Sequence, residues 1–208
     1  MDDASQPTMS ALDAIRTRRS LRQLDARPVP RALLDEAIEA ACLAPAPHHT
    51  RPWRYVIVSP ERRAALADAM GAAWRADLER DGHPSELIER LLRRSRRQIV
   101  EAPALVLVCL THEGLRAWPD ERRARNEWAM AQQSLGAGLQ NLMLAAHALG
   151  LASYWISAPL FAPEAAAEAL SLPDDHVAQA FVVVGYPAAG AAPKPRPPAD
   201  TSRLIIER

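Results

Sequence analysis

Apolar positions along this chain recur at two spacings, dividing it into helices and a few short strands. Ser10 is placed to cap a helix running to about Thr17, with Leu12 and Ile15 on one face. Pro28-Val29-Pro30 breaks the chain, and Leu33, Leu34, Ala37, Ile38 and Ala41 give the next helix its buried stripe. Tyr55 to Val58 reads as a strand, Ser59-Pro60 as a helix start, and Arg62 to Arg80 as the helix itself. Asp81-Gly82-His83-Pro84 interrupts it before a second, charged helix from about Ser85 to Ile99.

Ala104 to Leu110 is apolar without alternation, so this strand should be covered on both faces. The longest helix follows, from about Asp120 to Leu149. Its near-heptad stripe of Leu135, Leu139, Leu142, Ala146 and Leu149, with Gly136 and Gly138, suits either a central helix or a dimer seam. Gly136-Ala137-Gly138 is no dinucleotide fingerprint, because no strand precedes it and the last glycine is missing. A short strand at Ala152 to Ile156, a helix at Pro163 to Leu170 and a covered strand at Ala180 to Val184 complete the pattern. Arg203 to Ile206 is expected to form an edge strand, on a partner chain if not on its own. Strands without regular βαβ alternation predict an α+β fold, with residues 1–9 as a mobile lead and 10–208 as a single domain.

Composition narrows the function classes. The chain has 208 residues, 49% of them apolar, with 25 basic and 25 acidic residues balancing to zero. A domain of this size buries roughly 70% of its unfolded surface and needs no disulfide or metal to fold. Zero net charge argues against general nucleic-acid or anionic-membrane binding and lowers the barrier to self-association. No apolar leader or membrane-length segment is present, so the expected location is the cytoplasm. Cys42 and Cys109 sit in apolar patterns and read as small buried hydrophobes.

Candidate chemistry gathers in two places. Pro45, Pro47 and Pro52 stiffen a loop that carries His48, His49, Arg51, Trp53 and Arg54. Such a loop suits an anionic or planar ligand, although Trp53 and Tyr55 capping the core would explain the aromatics equally well. Adjacent histidines point to opposite sides in an extended loop, so no metal site is expected there. Arg18-Arg19-Ser20-Leu21-Arg22 closes the first helix, either as favourable charge at a helix C-terminus or as a phosphate clamp. Arg90, Arg93, Arg94, Arg96 and Arg97 crowd the charged helix beside Glu86, Glu89 and Glu101, which favours a solvated face over a rim for an acidic substrate. There is no nucleophile elbow, phosphate-binding loop, zinc spacing or carboxylate pair in a loop, so hard chemistry would have to come from a cofactor.

Four passages together resemble the FMN-dependent nitroreductase superfamily: Arg18 to Arg22, Ala44 to Trp53, Leu149 to Ile156, and Gly185-Tyr186-Pro187 followed by Lys194 and Arg196. The resemblance spans nearly the whole chain. It implies a mixed, mainly antiparallel central sheet flanked by helices, and a homodimer with the long helix at its interface and FMN held between the subunits. By that analogy Arg18, Arg19, Ser20 and Arg22 approach the phosphate and ribityl chain, and Lys194 and Arg196 close on the phosphate. Pro45, Ala46, Pro47 and His49 line the flavin edge, and Ile156 and Ser157 lie near its N5. The resemblance names no acid or base and leaves the electron donor open, with NAD(P)H as one candidate.

The proline loop departs from the usual family pattern, with Ala46, His49 and Arg51 where a Ser, an Asn and a Gln are common. In this it resembles the nitroreductase-like domain of the bifunctional enzyme that makes the deazaflavin coenzyme F420, as do Trp74-Arg75-Ala76-Asp77-Leu78 and Leu172-Pro173-Asp174-Asp175. That resemblance implies reduction of a dehydro-F420 precursor by reduced FMN, with His48, His49, Arg51, Arg54 and Trp53 as substrate contacts. It also implies a separate F420 γ-glutamyl ligase as partner. The alternatives are a general NAD(P)H-dependent nitro, quinone or enone reductase, and a non-catalytic flavin or deazaflavin carrier.

Overall fold

The computed structural model describes residues 9–208; apart from Met9, the expected lead lies outside the described residues. Helix α1 (Ala11–Thr17) starts at Ser10, whose hydroxyl accepts the Asp13 N–H at 3.2 Å. Helix α2 (Arg31–Cys42) leads through the proline loop into strand β1 (Trp53–Ile57). Helices α3 (Pro60–Arg80) and α4 (Ser85–Val100) form a hairpin that ends at strand β2 (Ala104–Leu110). Helix α5 (Glu121–Ala148) is capped by Asp120, which accepts the Arg123 N–H at 3.0 Å. Strand β3 (Ala152–Ile156), the short helix α6 (Ala158–Phe161), helix α7 (Pro163–Leu170) and strand β4 (Val177–Gly185) follow.

The strands lie in the order β1-β2-β4-β3. All three ladders are antiparallel, and parallel pairing among the described residues is confined to the bridge between Ser20 and Ser153. Every residue of β2 is buried, because the sheet has helices on both faces. Val106, Val108 and Leu110 point to one face, where they meet α2 and α5. Leu105, Leu107 and Cys109 point to the other, against Leu66 and Met70 of α3, Ile99 of α4 and Ala166 of α7. Each large apolar side chain fully buried here contributes about 1.5–3 kcal/mol.

The heptad-like stripe of α5 is spent inside the chain: Leu135, Leu139, Leu142 and Ala146 are all core residues. Gly138 lets α2 and β1 come close, since a Cβ there would stand 2.9 Å from the Tyr55 hydroxyl and 3.2 Å from the Ala41 carbonyl oxygen. Gly136 faces open space instead. Two expectations need correction. Strand β4 is longer than Ala180 to Val184, because Ala178 and Gln179 also pack into the sheet. Arg203 to Ile206 forms no strand among the described residues: Thr201–Arg203 is a single 3-10 turn, and Leu204, Ile205 and Ile206 are exposed.

Candidate functional site

The cationic residues near the N-terminus meet at the last turn of α5. Thr17 donates its hydroxyl proton to the Asp13 carbonyl at 2.6 Å and lies 2.8 Å from His147 Nε2. A hydroxyl has one proton, so His147 must be the donor of the second bond, through Nε2–H. Burial depresses the His147 pKa, and the nearby Arg18 and Arg19 charges depress it further. Arg196 reaches in from the C-terminal coil and donates to the Arg18 carbonyl at 2.7 Å and the Ile15 carbonyl at 3.3 Å. Arg19 donates to the Arg16 carbonyl at 2.7 Å and to the Arg18 carbonyl at 2.9 Å. Arg18 Nη1 is buried and has no acceptor among the described residues. Burial, then Arg196, then Arg19 pull the Arg18 pKa below its ordinary value, and no carboxylate among the described residues pairs with this guanidinium.

A cavity of about 770 Å³ takes none of these residues into its wall; of the N-terminal cations it is lined by Arg22 alone. Arg22, Trp155, Ile156 and Ser157 form its sheet side, and Trp74 of α3 and Arg94 of α4 belong to its hairpin side. Ser20 is tied by its bridge to Ser153 and Leu21 donates to the Ser153 carbonyl at 3.3 Å, which fixes the segment against β3. Arg22 lies over the Tyr154 ring at 5.4 Å.

The proline loop stands elsewhere. Ser134 of α5 donates to the Pro45 carbonyl at 2.6 Å, and Thr50 to the Pro47 carbonyl at 3.0 Å. His48, His49 and Arg51 adopt left-handed backbone with φ of 53°, 56° and 50°. Three such residues without glycine mark a strained turn that its surroundings must hold in place. Buried Glu127 accepts from Trp118 Nε1 at 3.0 Å and from the Arg116 N–H at 3.2 Å, pinning the neighbouring loop. These bonds, Trp118 foremost, hold its carboxyl below the usual range, and His48 adds to the effect. From Ser134 to His147 the helix rises about 20 Å. One chain therefore does not bring the proline loop to the cationic cluster.

Two expected substrate contacts have other work. Trp53 is only 4% exposed and sits in the core, because alternation along β1 turns Trp53, Tyr55 and Ile57 toward the same apolar face. Arg54 pairs with Glu113 and donates to the Trp53 carbonyl at 3.0 Å. His48, His49 and Arg51 are exposed, and Lys194 lies in exposed coil. Thr17 and His147 escaped the sequence reading, and Arg94 was grouped with a solvated face. A polar stripe of Arg94, Ser95 and Gln98 beside Leu91 was the available sign that α4 looks into a cavity.

The profile of the Nitroreductase family matches residues 15–186. The chain belongs to the nitroreductase family. A relative described as NADH dehydrogenase, from Thermus thermophilus, is 33% identical over 222 residues, covering 99% of this chain and 100% of the relative. Among solved structures, a BluB-like flavoprotein from Clostridium difficile superposes with a TM-score of 0.78 at 20% identity, covering 96% of this chain and 99% of that one. An FMN and NADPH-dependent nitroreductase from Sphigopyxis sp. strain HMH gives 0.74 at 22% identity, with 96% and 99% covered. These two likenesses establish the nitroreductase fold. Among the described residues no helix is long and apolar enough to cross a membrane.

Proposed function

We propose that this nitroreductase-family oxidoreductase works as a two-fold homodimer that holds FMN between subunits and uses NAD(P)H to reduce planar conjugated acceptors. The observation that carries the reading is the buried Arg18 Nη1 without an acceptor, beside Arg19 and Arg196. Converging guanidiniums with an unmet donor fit a phosphate dianion. Arg18, Arg19, Ser20, Arg22, Lys194 and Arg196 would hold the phosphate and ribityl chain, and Ile156 and Ser157 would border the ring at the cavity's sheet side. Bound FMN supplies two-electron chemistry that no side chain of the protein offers.

The dimer explains why the site is split. Two α5 helices running antiparallel across a two-fold axis bring the Ser134 end of one to the His147 end of the other. Pro45, Ala46, Pro47 and His49 of one subunit would then line the flavin edge of its partner. Gly136, with open space where its Cβ would be, lies on the α5 face left free by the core and allows a close helix approach. In this arrangement the stiff loop excludes water from the ring edge and orients the acceptor, with His48 and Arg51 at its rim.

A narrower reading makes the acceptor a dehydro precursor of coenzyme F420, supplied by a separate γ-glutamyl ligase. It is favoured by Arg90, Arg93 and Arg97, which make no ion pair among the described residues and suit a polyanionic tail. Arg93, Arg96 and Arg97 also line a groove of about 430 Å³. Absorbance titration with FMN, followed by anaerobic NADH and NADPH oxidation with a quinone or dehydro-F420, separates the readings. Turnover of quinone alone supports the general reductase, and turnover of dehydro-F420 the narrower one. FMN binding without either turnover supports a flavin carrier, and no FMN binding rejects both reductases.

A further inference from the structure

The hairpin side of the cavity has a polarity of its own. Two ion pairs set the register of α3 against α4: Arg75 with Glu89 at 2.5 Å and Arg96 with Asp68 at 2.9 Å. This register places Arg94 level with Met70, one helical turn beyond Trp74. The carboxylates around it are already committed. Asp68 holds Arg96, Glu89 and Glu79 hold Arg75, and Asp77 holds Arg80 at 3.0 Å. Asp81 also borders the cavity, but at the hairpin turn; from Ser85, the first residue of α4, to Arg94 the helix rises about 14 Å. Arg94 makes no ion pair among the described residues, and its neighbours in the cavity wall include the indoles of Trp74 and Trp155.

We infer, building on the oxidoreductase reading above, that this cavity selects planar aromatic acids and that Arg94 determines the selection by binding their carboxylate. A guanidinium pairs with a carboxylate through two parallel N–H donors, which fixes the orientation of the acid as well as holding it. Aromatic walls give the ring its contact area. Arg22 also borders the cavity and makes no ion pair among the described residues, but it lies over Tyr154 on the sheet side, where the cofactor is placed. The anion therefore sits at the hairpin side, away from the proline loop whose cations first suggested an acidic ligand.

The test uses two near-isosteric probes, 4-nitrobenzoate and 4-nitrobenzamide, titrated into the FMN-loaded protein and followed by the flavin spectrum. The benzoate should bind about tenfold more tightly than the amide. Arg94→Gln should bring the two affinities together, and Arg94→Lys should restore part of the preference. Arg62→Gln, which removes a charge from the same hairpin outside the cavity, should keep it. Equal affinities in the unmodified protein, a preference that survives Arg94→Gln, or an equal loss in Arg62→Gln would overturn the inference. Selective binding without turnover would instead count against the oxidoreductase reading alone.

Discussion

At the Ser134 end of α5, charge is met from within the chain: Arg54 has Glu113 and a backbone carbonyl, and Glu127 takes donors from Trp118 and Arg116. At the His147 end, Arg18, Arg19 and Arg196 make no ion pair among the described residues, and the buried Arg18 Nη1 finds no acceptor among them. The same side-chain chemistry thus plays opposite roles. A guanidinium whose charge is already matched holds its loop in place, whereas one that is buried and unmatched gains free energy when an anion arrives.

The strongest way to break this contrast is to loosen the rod between the two ends. Leu139 is fully buried near the middle of α5, and Leu139→Ala should cost about 2–5 kcal/mol in urea unfolding. Arg18→Ala should weaken FMN binding roughly 10- to 100-fold by fluorescence titration. Unchanged affinity would move the phosphate away from this end. His147 sharpens the contrast through pH. Its pKa in the folded chain lies below the ordinary value, so the unfolded chain binds more protons as pH falls. The neutral ring's contribution to stability is complete above the ordinary histidine range of about 6.5 and is lost as pH drops through the folded pKa. His147→Gln should flatten that part of the plot of unfolding midpoint against pH. Arg54→Gln should do least: the pair is partly exposed and worth about 0–1 kcal/mol, and FMN affinity should not change.

The contrast also explains what could be read in advance. Strand β2 was legible because all seven of its residues are apolar, and only a two-sided sheet accepts such a run. The α3–α4 hairpin was legible from Gly82 and Pro84 between two charged periodic segments. The cations at the His147 end and the proline loop at the Ser134 end were named from sequence, but their separation was not, since it follows from how far the helix carries the chain. Trp53, set among cations, reads from its neighbours either as ligand surface or as a cap on the core. A period-2 reading begun at Trp53 itself would have sent it to the core with Tyr55 and Ile57. Thr17 with His147, and Arg94 with the cavity, depend on elements distant in sequence, so no local pattern announces them.

The strand order has a kinetic consequence. No two neighbours in the sheet are joined by a tight turn: Ile57 pairs with Val106 across the whole α3–α4 hairpin, and Ala104 pairs with Val184 across α5, β3 and α7. Closing such loops costs entropy before any ladder bond forms, and chains rich in long-range pairing fold slowly. The expected sequence is hairpin first and sheet last, with amides of α3 and α4 protected from exchange earlier in refolding than those of β2. Until the sheet closes, the seven apolar residues of β2 remain uncovered, and this is the interval in which the chain is most open to aggregation.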